Sequence, residues 1–227
     1  MSESAIILNM LLLLSDPLLD ADAQPLRRLG LHEVADRIKQ QLQAVSYSIT
    51  AHVIPATPDH MLNIMRQAGP FEVVHFYGHG STGSLAFEDG RGQLRPLDVD
   101  QIKALFAPDG RSPATLALLT ACHSETVAQA LLDAGVPHVV VINADAAVLE
   151  VAARVFVTHF YPALLSRRTV RQAFEFGQTA VFTDPQVMQA ATQGSSEAAK
   201  FRLLPEIAPD GSDRAEERRV GKECRSR

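Results

Sequence analysis

Short apolar runs that alternate with helical patterns constrain the fold of this 227-residue chain. Five runs have the length and composition of buried strands, and turn-forming or polar residues close them. They span residues 6–14, 46–54, 71–77, 115–120 and 138–142. Because helical patterns lie between these runs, the sequence predicts an α/β fold with a mainly parallel central sheet and helices on both faces.

The helical patterns are marked by apolar spacing at three and four residues or by capping residues. They are predicted over 31–42, 58–66, 98–106, 124–134, 145–165, 170–182 and 186–191. Two further extended segments, near 84–87 and 93–95, flank Asp89-Gly90-Arg91-Gly92, which is typical of a β-hairpin turn.

The chain contains no internal repeat and no linker before about Asp184. We therefore predict one domain over 1–184, a C-terminal extension over 185–209 and a disordered tail over 210–227. The tail lacks apolar periodicity and carries six basic and three acidic residues from Arg214 onward. Its last nine residues differ in character from the rest, which favours an origin outside the native protein.

Charge and cysteine content exclude several classes of protein. The net charge of −5 gives no electrostatic support for nucleic-acid binding. Two cysteines, Cys122 and Cys224, form no disulfide framework and fit a reducing compartment. The apolar run at 5–14 is too short to span a bilayer and lacks the features of a signal peptide. We expect a soluble, cytoplasmic protein with no nucleic-acid or membrane partner.

Reactive side chains end two of the predicted strands. His79 follows the third strand between Gly78 and Gly80, and Cys122 follows the fourth. In an open parallel sheet, ligands bind outside the carboxyl ends of the strands. If these two strands are neighbours, His79 and Cys122 face each other across one cleft, as a Cys–His pair requires.

These residue types suit nucleophilic catalysis. Cys122 directly precedes a predicted helix, whose N-terminus favours the thiolate form of the side chain. His79 can stabilise the thiolate and then protonate a leaving amine. The backbone N–H groups of Gly80 and Cys122 are candidate donors to an oxyanion. His123 is expected to be exposed on the first turn of the helix.

Two other interpretations of the same residues are disfavoured. Residues 78–83 match the dinucleotide pattern G-x-G-x-x-G, but they lead into a predicted hairpin, whereas that motif must open a helix. His75 and His79 with Cys122-His123 suggest zinc, but their four-residue spacing is that of ligands on one face of a helix, whereas this segment is a strand that runs into a turn. Carboxylate ligands at a useful spacing are also missing. We therefore expect no metal and no cofactor, and we interpret His75 as a hydrogen-bonded core histidine.

The chain resembles the CHAT domain, a caspase-like module of the clan CD cysteine peptidases that often occurs with tetratricopeptide repeats. The resemblance rests on Val-His-Phe-Tyr-Gly-His-Gly at 74–80 and Leu-Leu-Thr-Ala-Cys-His-Ser at 118–124. Flanking matches lie at 15–17, 141–145, 160–165 and 169–174, and the similarity covers about 6–181.

The resemblance implies a caspase-like three-layer sandwich and endopeptidase activity on protein or peptide substrates. It maps His79 to the family histidine and Cys122 to the nucleophile. By position, Asp16 and Asp145 would line the pocket for a basic residue before the scissile bond, although both also suit turn or N-cap positions. The related metacaspase motif has an aspartate where this chain has Thr120, which argues against basic specificity.

The family context also implies regulation by a partner protein or by a repeat or sensor domain that this sequence does not contain. Two hypotheses follow. One is a regulated cysteine endopeptidase with a Cys122–His79 dyad. The other is a catalytically silent module of the same type that binds a peptide without cleaving it.

Overall fold

The computed structural model describes residues 7–26, 28–43, 48–142, 148–166, 168–191 and 196–205. The strands are β1 (Ile7–Leu14), β2 (Ser48–Pro55), β3 (Val73–Tyr77), β4 (Gly80–Ser81), β5 (Ser84–Glu88), β6 (Leu94–Asp98), β7 (Leu116–Thr120), β8 (His138–Ile142) and β9 (Phe201–Leu204). The helices are α1 (Leu31–Gln43), α2 (Pro58–Ala68), α3 (Val99–Phe106), α4 (Glu125–Asp133), α5 (Glu150–Leu165), α6 (Val170–Thr183) and α7 (Pro185–Ala190).

The central sheet has six strands in the order β2-β1-β3-β7-β8-β9. The first five strands are parallel, and β9 runs antiparallel to β8. The five predicted strands are all present, with ends within two residues of the predicted positions. The prediction of a mainly parallel sheet is therefore confirmed.

Helices cover both faces of this sheet because its buried strands are apolar on both sides. Met10 and Leu12 of β1 belong to a core cluster with α1, α5, α6 and α7. Leu11 and Leu13 belong to a second cluster with α2, α3, α4 and the small sheet. This alternation gives a three-layer sandwich. No helix in the described part of the chain is long and apolar enough to cross a bilayer.

A small antiparallel sheet, β4-β5-β6, follows β3. The predicted hairpin is confirmed in β5 and β6, and β4 adds a third strand immediately after His79. The backbone N–H of Ala86 donates to the carbonyl of His79 at 3.0 Å, which ties this sheet to the end of β3.

Two features in the second half of the chain differ from the prediction. The predicted extension, 185–209, contributes β9, which pairs with β8, so a boundary at 184 does not separate it from the sheet. Helix α5 begins at Glu150 rather than near Asp145. The backbone N–H of Leu149 donates to the Glu197 carboxylate at 2.9 Å, a distant contact that fixes where α5 begins. The tail predicted at 210–227 and Cys224 lie outside the described residues.

Candidate active site

Three neighbouring strands end at the same level of the sheet. Leu14 of β1 pairs with Tyr77 of β3, which pairs with Thr120 of β7. The ladder continues for one residue, because the N–H of Ser15 donates to Tyr77 at 2.9 Å and that of Gly78 to Thr120 at 3.1 Å. The carboxyl edge of the sheet therefore has no stagger across these strands.

The next residue on each strand is a predicted site residue: Asp16, His79 or Cys122. Adjacent strands lie about 4.8 Å apart, so the backbone of His79 is one strand spacing from that of Cys122. Asp16 lies one strand further, on the other side of His79. The fold thus brings His79 and Cys122 together at one edge, and both are half-buried. Cys122 carries a free thiol.

The glycines around His79 permit close approaches on both sides. A Cβ added to Gly78 would lie 2.8 Å from the Cβ of Ser15. One added to Gly80 would overlap the carbonyl oxygen of Cys122 and lie 3.1 Å from the Cβ of Ala121. These separations are too short for a side chain, so glycine lets the His79 segment lie directly against the Cys122 turn.

The segment 78–83 opens strands rather than a helix. Gly80 lies in β4, and Gly83 forms the β4–β5 turn with a φ of +76°. This agrees with the prediction of a hairpin and removes the dinucleotide interpretation. Within the described ranges, no group of three or more His, Cys, Asp or Glu side chains is placed to hold a metal ion.

The backbone after Cys122 differs from the prediction. Helix α4 begins at Glu125, so a turn separates it from Cys122. His123 is half-buried in that turn with a φ of +57°, and the expectation that it is exposed on the first helical turn is wrong. The left-handed conformation costs roughly 1–2 kcal/mol for a residue with a Cβ. Ser124 stands at the N-cap position but makes no side-chain capping bond.

His75 is a hydrogen-bonded core histidine, as predicted. Its side chain is fully buried; Nε2 lies 2.9 Å from Thr120 Oγ1, and Nδ1 lies 2.9 Å from the Tyr161 hydroxyl. Burial lowers the pKa of His75 to about 3, so the imidazole is neutral at physiological pH. Burial also raises the pKa of Tyr161 well above its ordinary value. His75 and Tyr161, which lie beneath the site, are therefore both uncharged at physiological pH.

Thr120, where the metacaspase motif has an aspartate, is bonded to His75. Its hydroxyl fixes the end of β7 two residues before Cys122. The position therefore contributes a neutral, partly buried contact and no carboxylate to the edge of the sheet.

Asp16 is engaged within its own loop. Its Oδ2 accepts from Arg28 Nε at 2.7 Å, and its Oδ1 accepts from the Leu29 backbone N–H at 3.0 Å. The Arg28 side chain is 55% exposed and that of Asp16 only 13%. Both residues line a cavity of about 550 Å³ together with Glu88, whose carboxylate accepts from the Asp16 N–H at 2.8 Å. Asp145 lies outside the described residues.

Several contacts around the site could not be predicted from the sequence. The Arg28–Asp16 ion pair joins residues of one irregular loop, and no periodic pattern marks it. An ion pair between Arg202 of β9 and Glu125 ties the first turn of α4 to the last strand. That contact could not be found because β9 itself was not predicted.

Comparisons with known proteins agree with this architecture. A family model described as "CHAT domain" matches residues 2–202. The Arg-specific cysteine proteinase gingipain R superposes with a TM-score of 0.56 and 15% identity over 86% of this chain. This chain spans 45% of the gingipain chain. Caspase-1 from Spodoptera frugiperda gives 0.53 and 13% identity, covering 88% of this chain and 87% of that one.

No curated protein sequence matches this chain. At 13% and 15% identity, the structural neighbours establish a shared fold. The predicted caspase-like α/β sandwich is therefore confirmed, and so is the predicted family.

Proposed function

Because this chain belongs to the CHAT domain family, we propose that it is a cysteine endopeptidase that cleaves protein substrates through Cys122 and His79. One observation carries the proposal: neighbouring parallel strands β3 and β7 end at the same level, and His79 and Cys122 each follow two residues after the strand end. The close approach of Gly80 to the Cys122 turn supports it, because the segments that follow the two strands lie against each other.

Acylation begins with the Cys122 thiolate, whose Sγ attacks the carbonyl carbon of the scissile peptide bond. The carbonyl oxygen becomes an oxyanion, and the backbone N–H groups of Gly80 and Cys122 stabilise its charge. The carbon–nitrogen bond then breaks, and the His79 imidazolium gives its proton to the leaving amine. A thioester on Cys122 and a neutral His79 remain.

Deacylation reverses these roles. Neutral His79 takes a proton from a water molecule, whose oxygen attacks the thioester carbon. The carbon–sulfur bond breaks and releases the carboxylic acid product. The Cys122 thiolate and the His79 imidazolium are regenerated, so the cycle is balanced in atoms and charge.

Asp16 favours a substrate with arginine or lysine before the scissile bond. The position of Asp16, two strands from Cys122 and at the same level of the sheet, supports this preference. The Arg specificity stated for gingipain R supports the same preference. Asp145 is proposed as the second acid of this pocket, on its sequence position alone.

The enzyme is proposed to be latent until a partner protein or a fused sensor or repeat domain activates it. Both Asp16 oxygens are bonded to residues 28 and 29, so a substrate arginine must displace at least the Arg28 side chain. Arg28 already makes the contact that a basic substrate side chain would make.

A peptidyl acyloxymethyl ketone with arginine next to the electrophile tests the proposal. We expect it to label Cys122 in the wild-type protein, as located by mass spectrometry, and not to label Cys122→Ala. His79→Ala should slow labelling about 100-fold or more, the usual contribution of acid–base assistance. His60→Ala, on the exposed surface of α2, is the matched control and should label at the wild-type rate.

Labelling of Cys122 that is unchanged in His79→Ala would contradict the dyad. A wild-type protein that no such probe labels, with its activating partner present, would contradict the peptidase. A Cys122→Ala variant with full biological effect would then favour the peptide-binding module.

A further inference from the structure

The turn that follows Cys122 has two unusual features, one at His123 and one at Ser124. His123 adopts the left-handed conformation, with a φ of +57°. The Ser124 hydroxyl is fully buried and has no hydrogen-bond partner. Folded proteins rarely leave a buried hydroxyl unpaired, and an N-cap serine ordinarily bonds to the first turn of its helix. Both departures fall within two residues of the proposed nucleophile.

The backbone of Ser124 explains why its hydroxyl is unpaired. Thr57 and Thr169 cap α2 and α6 with extended backbones, at ψ values of 145° and 160°. Each accepts a bond from the N–H three residues later. Ser124 has a ψ of 5°, which turns its side chain away from this geometry. An extended Ser124 would instead accept from the N–H of Val127.

A change in ψ at Ser124 would move the Cys122 turn rather than the helix. Val127, Ala128 and Leu131 anchor α4 in the core and are fully buried. Cys122 and His123 are only half-buried, so they are less enclosed than these helix residues. Rotation about ψ at Ser124 would therefore give a second arrangement, in which Ser124 caps α4.

We propose that Ser124 is a positioning residue for the cleavage reaction. Substrate binding shifts residues 122–124 to the capped arrangement, and the Ser124 hydroxyl stabilises it by accepting from Val127. The shift sets the direction of the Cys122 side chain and N–H toward the substrate carbonyl. This inference rests on the proposed peptidase function.

The test compares Ser124→Ala with Ser112→Ala in the full chain. Ser112 is also buried, but its hydroxyl accepts from the Ala114 N–H at 3.3 Å and it lies at the opposite edge of the sheet. Ser124→Ala should leave the melting temperature unchanged or raise it by about 2–4 °C, because the substitution removes an unpaired hydroxyl. Ser112→Ala should lower it by a similar amount.

Reactivity separates positioning from a general structural role. Ser124→Ala should slow labelling by the arginyl acyloxymethyl ketone about tenfold, since misplaced reacting groups lose rate steeply. Alkylation of Cys122 by iodoacetamide, which requires no oriented carbonyl, should keep its rate. Amide hydrogen exchange at Val127 should slow when the wild-type protein is labelled, and not when Ser124→Ala is labelled.

Equal ketone labelling of wild type and Ser124→Ala would overturn the inference, as would Val127 exchange that labelling does not change. A loss of stability in Ser124→Ala as large as that in Ser112→Ala would also overturn it. These failures are distinct from failure of the peptidase proposal, in which the wild-type protein itself is not labelled by the ketone.

Discussion

His75 links the stability of the fold to pH. The imidazole has an ordinary pKa near 6.5, and burial lowers the pKa to about 3 in the folded chain. Below about pH 6.5 the unfolded chain therefore binds a proton that the folded chain excludes. The free energy of unfolding should fall by up to about 1.4 kcal/mol per pH unit between these two values. Above pH 6.5 this histidine contributes no pH dependence.

Replacement of His75 by glutamine should remove this contribution. We expect His75→Gln to be less stable than wild type at pH 7.5, by about 1–3 kcal/mol, because Thr120 and Tyr161 lose a buried partner. Its stability should then fall less steeply between pH 6 and pH 4. Urea unfolding at several pH values measures both quantities. His60→Gln, on the surface, should keep the wild-type slope, and equal slopes in all three proteins would contradict the prediction.

Loss of the ion pair between Arg28 and Asp16 should favour basic substrates. In Arg28→Gln the carboxylate loses its ion-pair partner but keeps the Leu29 N–H, so a substrate arginine can take the vacated position. We expect kcat/KM for an arginyl peptide to rise about two- to fivefold, the scale of a partly exposed ion pair. A leucyl peptide should show no change. Arg91→Gln, in the exposed β5–β6 turn, is the control, and an equal gain there would argue against a specific role for Arg28.

Helices α5 and α6 make a close contact that depends on glycine. A Cβ on Gly177 would lie 2.7–2.8 Å from two ring carbons of Phe156. We expect Gly177→Ala to lower the free energy of unfolding by about 1–3 kcal/mol, since overpacking outweighs the roughly 1 kcal/mol gain in helix propensity. Thr179→Ala, exposed on the same helix, should be neutral or stabilising. Thermal unfolding of both variants checks the sign, and a stabilised Gly177→Ala would show that the contact can relax.

Elements with a local signal could be predicted from the sequence, and those that depend on distant partners could not. The strand β8 was predicted at its observed bounds because a five-residue apolar run marks it. The strand β9 has only four residues and exists through its pairing with β8. The start of α5 depends on Glu197, 48 residues from Leu149.

The same division holds at the site. The position of His79 and Cys122 at the same level of the sheet follows from the ends of two apolar runs, and these ends are visible in the sequence. The conformation of the Cys122 turn does not follow, because no residue type at His123 or Ser124 signals a left-handed backbone or a missing cap. Positive φ is uncommon outside glycine even though histidine is enriched there, and serine is a favoured N-cap residue, so the local pattern predicts a capped helix instead.

For the whole molecule, the last strand should decide whether the chain folds stably. A chain that ends at residue 205 keeps every described contact, whereas one that ends at residue 196 loses Phe201 and Leu203 from the core. Burial of two such side chains contributes about 3–6 kcal/mol. We expect the shorter chain to melt at least about 6 °C lower and the longer one to match the full chain, as measured by circular dichroism. Equal melting temperatures would mean that β9 is dispensable.

The tyrosines around His75 provide a spectroscopic view of the layer beneath the site. The chain has no tryptophan and three tyrosines, and two of these, Tyr77 and Tyr161, lie within 6 Å of the His75 ring, at 5.8 and 5.9 Å between ring centroids. Intrinsic emission therefore comes largely from this layer, without tryptophan to mask it. A tryptophan introduced at exposed Thr82, two residues after Gly80, would be the single indole of the protein and an optical reporter of the β4–β5 turn beside the proposed site.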